Sequence, residues 1–147
     1  MIKKAVTKQK IESFEIITLH TSGMRYSADY EIVMKGDAAE VSQYQIRHRY
    51  PENERILEKR VSVSNDTMLT LLNNCKLLSW DGFHGKHPRG VLDGTMFSLN
   101  AVVNGGIKIR ADGSQNFPKH YRDFTDGLYE MLSGNNGMHE IFVKTNQ

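Results

Sequence analysis

Between Trp80 and Gly94 the chain reads WDGFHGKHPRGVLDG, which crowds His84, Lys86, His87 and Arg89 into a glycine-rich stretch. Imidazole, ammonium and guanidinium groups together are the side chains of an anion site. Gly82, Gly85 and Gly90 would let backbone amides come close to a ligand. A second stretch, DGSQN, sets Ser114 and Asn116 just ahead of a predicted helix. The free amides and dipole of a helix start attract negative charge. His84, Lys86, His87, Arg89, Ser114 and Asn116 are therefore a candidate pocket for a phosphate or carboxylate. The plainer alternative makes Gly113 and Ser114 a turn, with Asn116 helping to cap the helix. GSQN matches no established phosphate loop.

The same histidines raise a metal reading. His84 and His87 lie three apart, and Asp81, Asp93 and His120 could join them as ligands of a hydrolytic zinc ion. A metal-dependent hydrolase or phosphoesterase would follow. Against it, Lys86 lies between the histidines and Arg89 just beyond, and both disfavour a divalent cation. No helix holds the pair four apart, as a metalloprotease motif requires. The expectation is no metal, no cofactor and no enzyme. Cys75 falls on an apolar helical stripe and reads as core, since a catalytic thiolate needs exposure and a base.

A third chemistry is nucleic-acid binding by strands 47–60. Arg47, His48, Arg49, Arg55, Lys59 and Arg60 are interleaved with Tyr44 and Tyr50, and sheets can stack bases on aromatic rings. Glu52, Glu54 and Glu58 cancel much of that charge, so a solvated face with cross-strand ion pairs is the better expectation.

Positioning these residues falls to a simple series of elements. Phe14 to Leu19 has apolar residues on both parities, which predicts a strand covered on both faces. Tyr26 to Met34 alternates strictly, and Gly36-Asp37 suits a tight hairpin. In the third strand, Ala39 and Val41 share one parity and Tyr44 and Ile46 the other. A β-bulge near Ser42-Gln43 would reconcile them. A fourth strand over 56–63 puts Leu57, Lys59, Val61 and Val63 on one side. Ser64, Asn65 and Asp66 are capping residues for a helix carrying Met68, Leu71, Leu72, Cys75 and Leu78. Phe97, Leu99, Ala101 and Val103 alternate up to Asn104-Gly105-Gly106, the strongest hairpin signal in the chain. Ile107, Ile109 and Ala111 return. Pro118 suits the first turn of a last helix with Tyr121, Phe124, Leu128 and Met131 inward, and Gly134 suits its stop. Met138–Val143 reads as a short edge strand or docked tail.

Order ββββαββα follows: an α+β fold with a mostly antiparallel sheet of about six strands and two helices on one face. Residues 1–11 read as a flexible leader and 12–147 as a single domain. Trp80, Phe83, Phe97 and Phe117 read as anchors that pack the loops against the sheet edge.

Trp80, Gly82, Phe83, Leu92, Asp93, Gly94, Phe97, Gly113, Ser114, Phe117 and Pro118 together resemble a pattern found in a family of small proteins of Gram-positive gut bacteria. In that pattern a W-x-G-F segment is followed by L-D-G, an aromatic strand, a hairpin and G-S-x-x-[FY]-P. The family carries no assigned activity, so the resemblance implies a fold and no chemistry. Some of its members look exported, and the opening MIKKAVTKQK lacks the apolar core of a secretory signal.

A chain of 147 residues with 39% hydrophobic and 24% charged residues suits one globular domain. The net charge of +2 is well short of a dedicated nucleic-acid binder. No stretch approaches the roughly 20 apolar residues of a membrane span. One cysteine allows no internal disulfide. Together these features predict a cytoplasmic protein, with export of a processed form left open. Its expected partners are another protein or a small anionic ligand, met through the 81–93 loop or a sheet face. Self-association through an edge strand is a further expectation.

Overall fold

The computed structural model describes residues 9–92 and 94–134. Asp93 and the segment Met138–Val143 lie outside them. Four strands come first: β1 (Phe14–Ser22), β2 (Ser27–Lys35), β3 (Ala38–Arg47) and β4 (Glu54–Ser64). Helix α1 (Asn65–Asn74) and a 3-10 turn (Leu77–Trp80) follow. Then come β5 (His84–Gly85), β6 (Met96–Val103), β7 (Ile107–Ser114) and helix α2 (Tyr121–Ser133). The seven strands form one sheet in the order β4-β3-β2-β1-β6-β7-β5. Every pairing is antiparallel except that of β5, which runs parallel to β7. The expected architecture holds, with this two-residue strand as the addition to the expected six.

Local chemistry accounts for the element ends. Gly36 and Asp37 alone connect β2 to β3, as the hairpin signal predicted. The Ser64 hydroxyl accepts from the Thr67 amide at 3.1 Å and caps α1. Gly134, at φ +83°, ends α2 in the left-handed conformation that glycine tolerates.

One face of the sheet is the core. Ile17, Leu19, Ile32, Val41, Val61, Leu99, Ala101 and Ile109 line it, and Met68 and Leu72 of α1 and Phe124 and Leu128 of α2 join the same cluster. Gly127 makes the helix pairing possible: a Cβ there would lie 2.6 Å from Leu71 Cδ1 of α1. The polar stretch before β1 is tied down at its end. Ile11 is buried, and its amide and carbonyl bond the Asn73 side chain at 2.8 and 2.9 Å.

Three strand expectations are corrected. β1 is covered on one face, not two: Phe14, Ile17 and Leu19 are buried while Ile16 is 38% exposed, because a register shift against β6 lies between Phe14 and Ile16. The bulge expected on β3 lies on its partner. Gln43 faces Lys59 and Tyr44 faces Leu57, so Glu58 is the extra residue of β4. Leu57 thereby joins Tyr44 on the outer face, away from Val61 and Val63. β3 itself stays regular against β2. Its change of parity marks where the apolar core ends, and beyond Val41 the inward positions are Gln43 and Gln45.

Candidate functional site

The loop after Trp80 and the segment after β7 do lie side by side. The Gly82 amide donates to the Arg110 carbonyl at 2.8 Å, the Asp112 amide to the Phe83 carbonyl at 3.0 Å, and the Arg110 amide to Asp81 Oδ1 at 2.9 Å. His84 and Gly85 pair directly with Asp112 and Gly113. The sequence signal for proximity was therefore sound, but the polar groups so gathered are spent on one another.

His87 shows this best. Its Nε2–H donates to the Val91 carbonyl at 2.5 Å, and in the neutral ring Nδ1 accepts from the Ser114 hydroxyl at 2.8 Å. Both ring nitrogens and the serine are used. His84 Nδ1 lies 2.5 Å from Asp112 Oδ1, and the Asn116 amide donates to the Lys86 carbonyl at 3.2 Å. Of the loop glycines, Gly85 serves the chain itself: a Cβ there would sit 2.4 Å from the Asn116 carbonyl oxygen, and one on Gly113 2.1 Å from it. Gly82 and Gly90 hold positive φ, +87° and +83°, in open space. Lys86 and Arg89 are exposed and, among the described residues, have no ion-pair partner.

The helix-start contribution is corrected. Helix α2 begins at Tyr121 with His120 as its cap, so Ser114 and Asn116 end β7 and its turn instead of flanking a helix N-terminus. Pro118 precedes the helix, its carbonyl accepting from the Tyr121 amide at 3.1 Å. His120 Nδ1 lies 3.0 Å from Asp123 of its own helix. Among the described residues no three histidine, cysteine, aspartate or glutamate side chains gather as a ligand set.

Aromatic rings hold the loop down as expected. Phe97 lies 6.3 Å from Phe83, 5.6 Å from Phe117 and 4.8 Å from Tyr121. Trp80 meets Phe124 edge-on at 5.6 Å, and its indole N–H has no acceptor among the described residues. Cys75 is fully buried, and burial, with the Asp123 charge second, pushes its thiol up to about 11.

The basic strands are neutralised on the outer face. Arg55 reaches Asp29 at 3.3 Å and Glu31 at 3.5 Å while lying over the Tyr44 ring at 3.8 Å. Arg60 bonds Ser42 and the Tyr44 hydroxyl, with Glu40 at 3.7 Å. Arg49 pairs Glu54 at 3.6 Å, His48 faces Asn53 at 3.3 Å, and Tyr50 is fully in solvent. His20 and Asp29 meet at 2.5 Å with Ser98 next in register, but no hydrogen bond joins Ser98 to His20.

Sequence reasoning missed a different place. Where the inner sheet face runs past the core, α2 stands off and leaves a cleft of about 510 Å³. Its walls carry four phenols, Tyr26, Tyr30, Tyr121 and Tyr129, with Gln43, Gln45, Glu58 and Asp126. Tyr26 is 51% and Tyr129 67% exposed. The side chains of Gln43, Gln45, Glu58, Asp126 and Tyr129 make no hydrogen bond or ion pair among the described residues. Burial first, then Tyr129, Tyr26 and Glu58, pushes the Tyr30 hydroxyl above its ordinary value. Burial likewise pushes Tyr121 up to about 12. The one signal in the sequence was the run of polar residues, Gln43 and Gln45, on the inward parity of β3.

No family model, curated protein or solved structure matches the chain.

Proposed function

We propose that this domain acts by binding and not by catalysis, and that its ligand occupies the cleft between α2 and the inner face of β2–β4. The observation that carries this reading is a cavity of about 510 Å³ in which the side chains of Gln43, Gln45, Glu58, Asp126 and Tyr129 have no partner among the described residues. That volume falls within the range of small-molecule sites, on the order of 300–1,000 Å³, which combine aromatic and apolar walls with a few polar groups that orient the ligand. The titratable groups around it support binding over chemistry. A nucleophile activated by its own acidity has a lowered pKa, whereas Tyr30 and Tyr121, the phenols for which a shift is resolved at the cleft, are both pushed up.

A fragment screen followed by amide NMR tests it. Hits should perturb residues around Tyr26, Tyr30, Gln43 and Tyr129 together. Hits that perturb only residues 84–92 would move the function to the loop. One observation favours that second reading, an anion surface: Lys86 and Arg89 stand unpaired among the described residues. Inorganic phosphate would then raise the melting temperature, and Arg89→Ala would abolish the rise.

A further inference from the structure

We propose that the cleft selects a small organic cation, an ammonium-bearing ligand held between tyrosine faces and two carboxylates. This rests on the cleft being the binding site and adds the charge of what binds there. The lining contains Glu58 and Asp126 and no lysine, arginine or histidine. Neither carboxylate has an ion-pair partner among the described residues, in a protein whose outer face pairs Asp29, Glu31 and Glu40 with arginines.

Four phenol rings border the same space, and the face of an aromatic ring attracts a cation within about 6 Å of its centre. Tyr26 and Tyr129 are half or more exposed, the Tyr26 ring lying against Gly23 with its hydroxyl 3.3 Å from Thr21 Oγ1. The bulge at Glu58 is part of the device, since an extra residue in one strand re-aims a side chain. The adjoining groove, which shares Gln43, Gln45, Glu58 and Tyr129 with the cleft, carries Arg47 and Lys59. A ligand with a neutral or anionic far end would reach them.

The test is isothermal titration of the full chain with choline, spermidine, glucose and inorganic phosphate, with amide NMR mapping each probe. Choline or spermidine should bind saturably and perturb Tyr30 and Tyr129. Glu58→Gln with Asp126→Asn should weaken binding at least tenfold, and Tyr129→Ala likewise, with unchanged circular dichroism. These variants alter exposed side chains, so folding is expected to survive. Unchanged affinity in both would overturn the proposal. If glucose or phosphate maps to the cleft and neither amine does, the cation inference fails and the binding site stands. Should no probe of any charge perturb the cleft, both are lost.

Discussion

The loop at 81–92 and the cleft under α2 are opposites in how they display their chemistry. The loop is rich in residues that do chemistry elsewhere, yet His84 is taken up by Asp112, His87 by Ser114, and the Asn116 side-chain amide by the Lys86 carbonyl, at 2.5 to 3.2 Å. The cleft is built from tyrosines, glutamines and two carboxylates that no motif search would select, and most of its polar atoms are unspent. A side chain's capacity for chemistry counts only if its donors and acceptors are free. Neither set is shut away from water: His84 and His87 are exposed, as are Gln45, Glu58, Asp126 and Tyr129, so the two regions differ in which groups have protein partners and not in a burial cost. Where a fold has satisfied them internally it has made structure; where it has left them open at a cavity it has made a surface for something else.

If the loop is structure, breaking its anchor should cost the most. Trp80→Ala is expected to lose about 3–5 kcal/mol in urea denaturation, through loss of a fully buried ring. Trp80→Phe keeps a ring and deletes an N–H without an acceptor, and should cost no more than about 1–2 kcal/mol. Equal losses for the two would show that the indole N–H has a role the aromatic packing does not explain.

Alkaline pH should bring the next largest effect. Folding holds the Cys75 thiol up to about 11 and the Tyr121 hydroxyl up to about 12. The unfolded chain loses these protons first, so stability is fully present below pH 9 and falls as pH rises toward 12. Cys75, fully buried, should account for roughly 2–3 kcal/mol of the fall. Denaturation midpoints of Cys75→Ala should therefore run flatter than wild type from pH 9 to 11. Parallel curves would mean that the thiol is not shielded as described.

His87→Ala removes two hydrogen bonds at the exposed loop and should cost only about 1 kcal/mol, with cleft binding unaltered. Loss of ligand affinity with unchanged stability would invert the comparison and make the loop the site. The smallest expected effect is that of Tyr129→Ala on folding, within about 0.5 kcal/mol because the ring is 67% exposed. A clearly larger loss would show the ring to be a packing residue and would weaken the cleft as a binding surface.

Much of the fold was legible because it is local. Alternation from Phe97 to Val103, the Asn104–Gly106 turn, the Ser64 cap and the stripe of Phe124, Leu128 and Met131 each follow from backbone geometry over a few residues. The hairpins β1–β2, β2–β3 and β6–β7 follow from the turns, whereas the β1–β6 pairing that joins the two halves of the sheet is long-range and had no sequence signal. Two strand readings failed where a bulge intervened. A bulge shifts every later side chain to the other face, and nothing in the types of Glu58 or Glu15 announces it.

By itself, then, the sequence determined the longer strands and both helices, the buried stripe of those without a bulge, and that the two polar segments after Trp80 and Ala111 meet. Only the tertiary structure decided what those residues are free to do. His87 finds Ser114 across 27 positions, Gly85 yields its space to Asn116, and Glu58 reaches a cavity shared with Tyr129 of a distant helix. The physical reason is that hydrogen-bond satisfaction and desolvation are properties of three-dimensional neighbours, and a sequence specifies neighbours along the chain far more directly than across it.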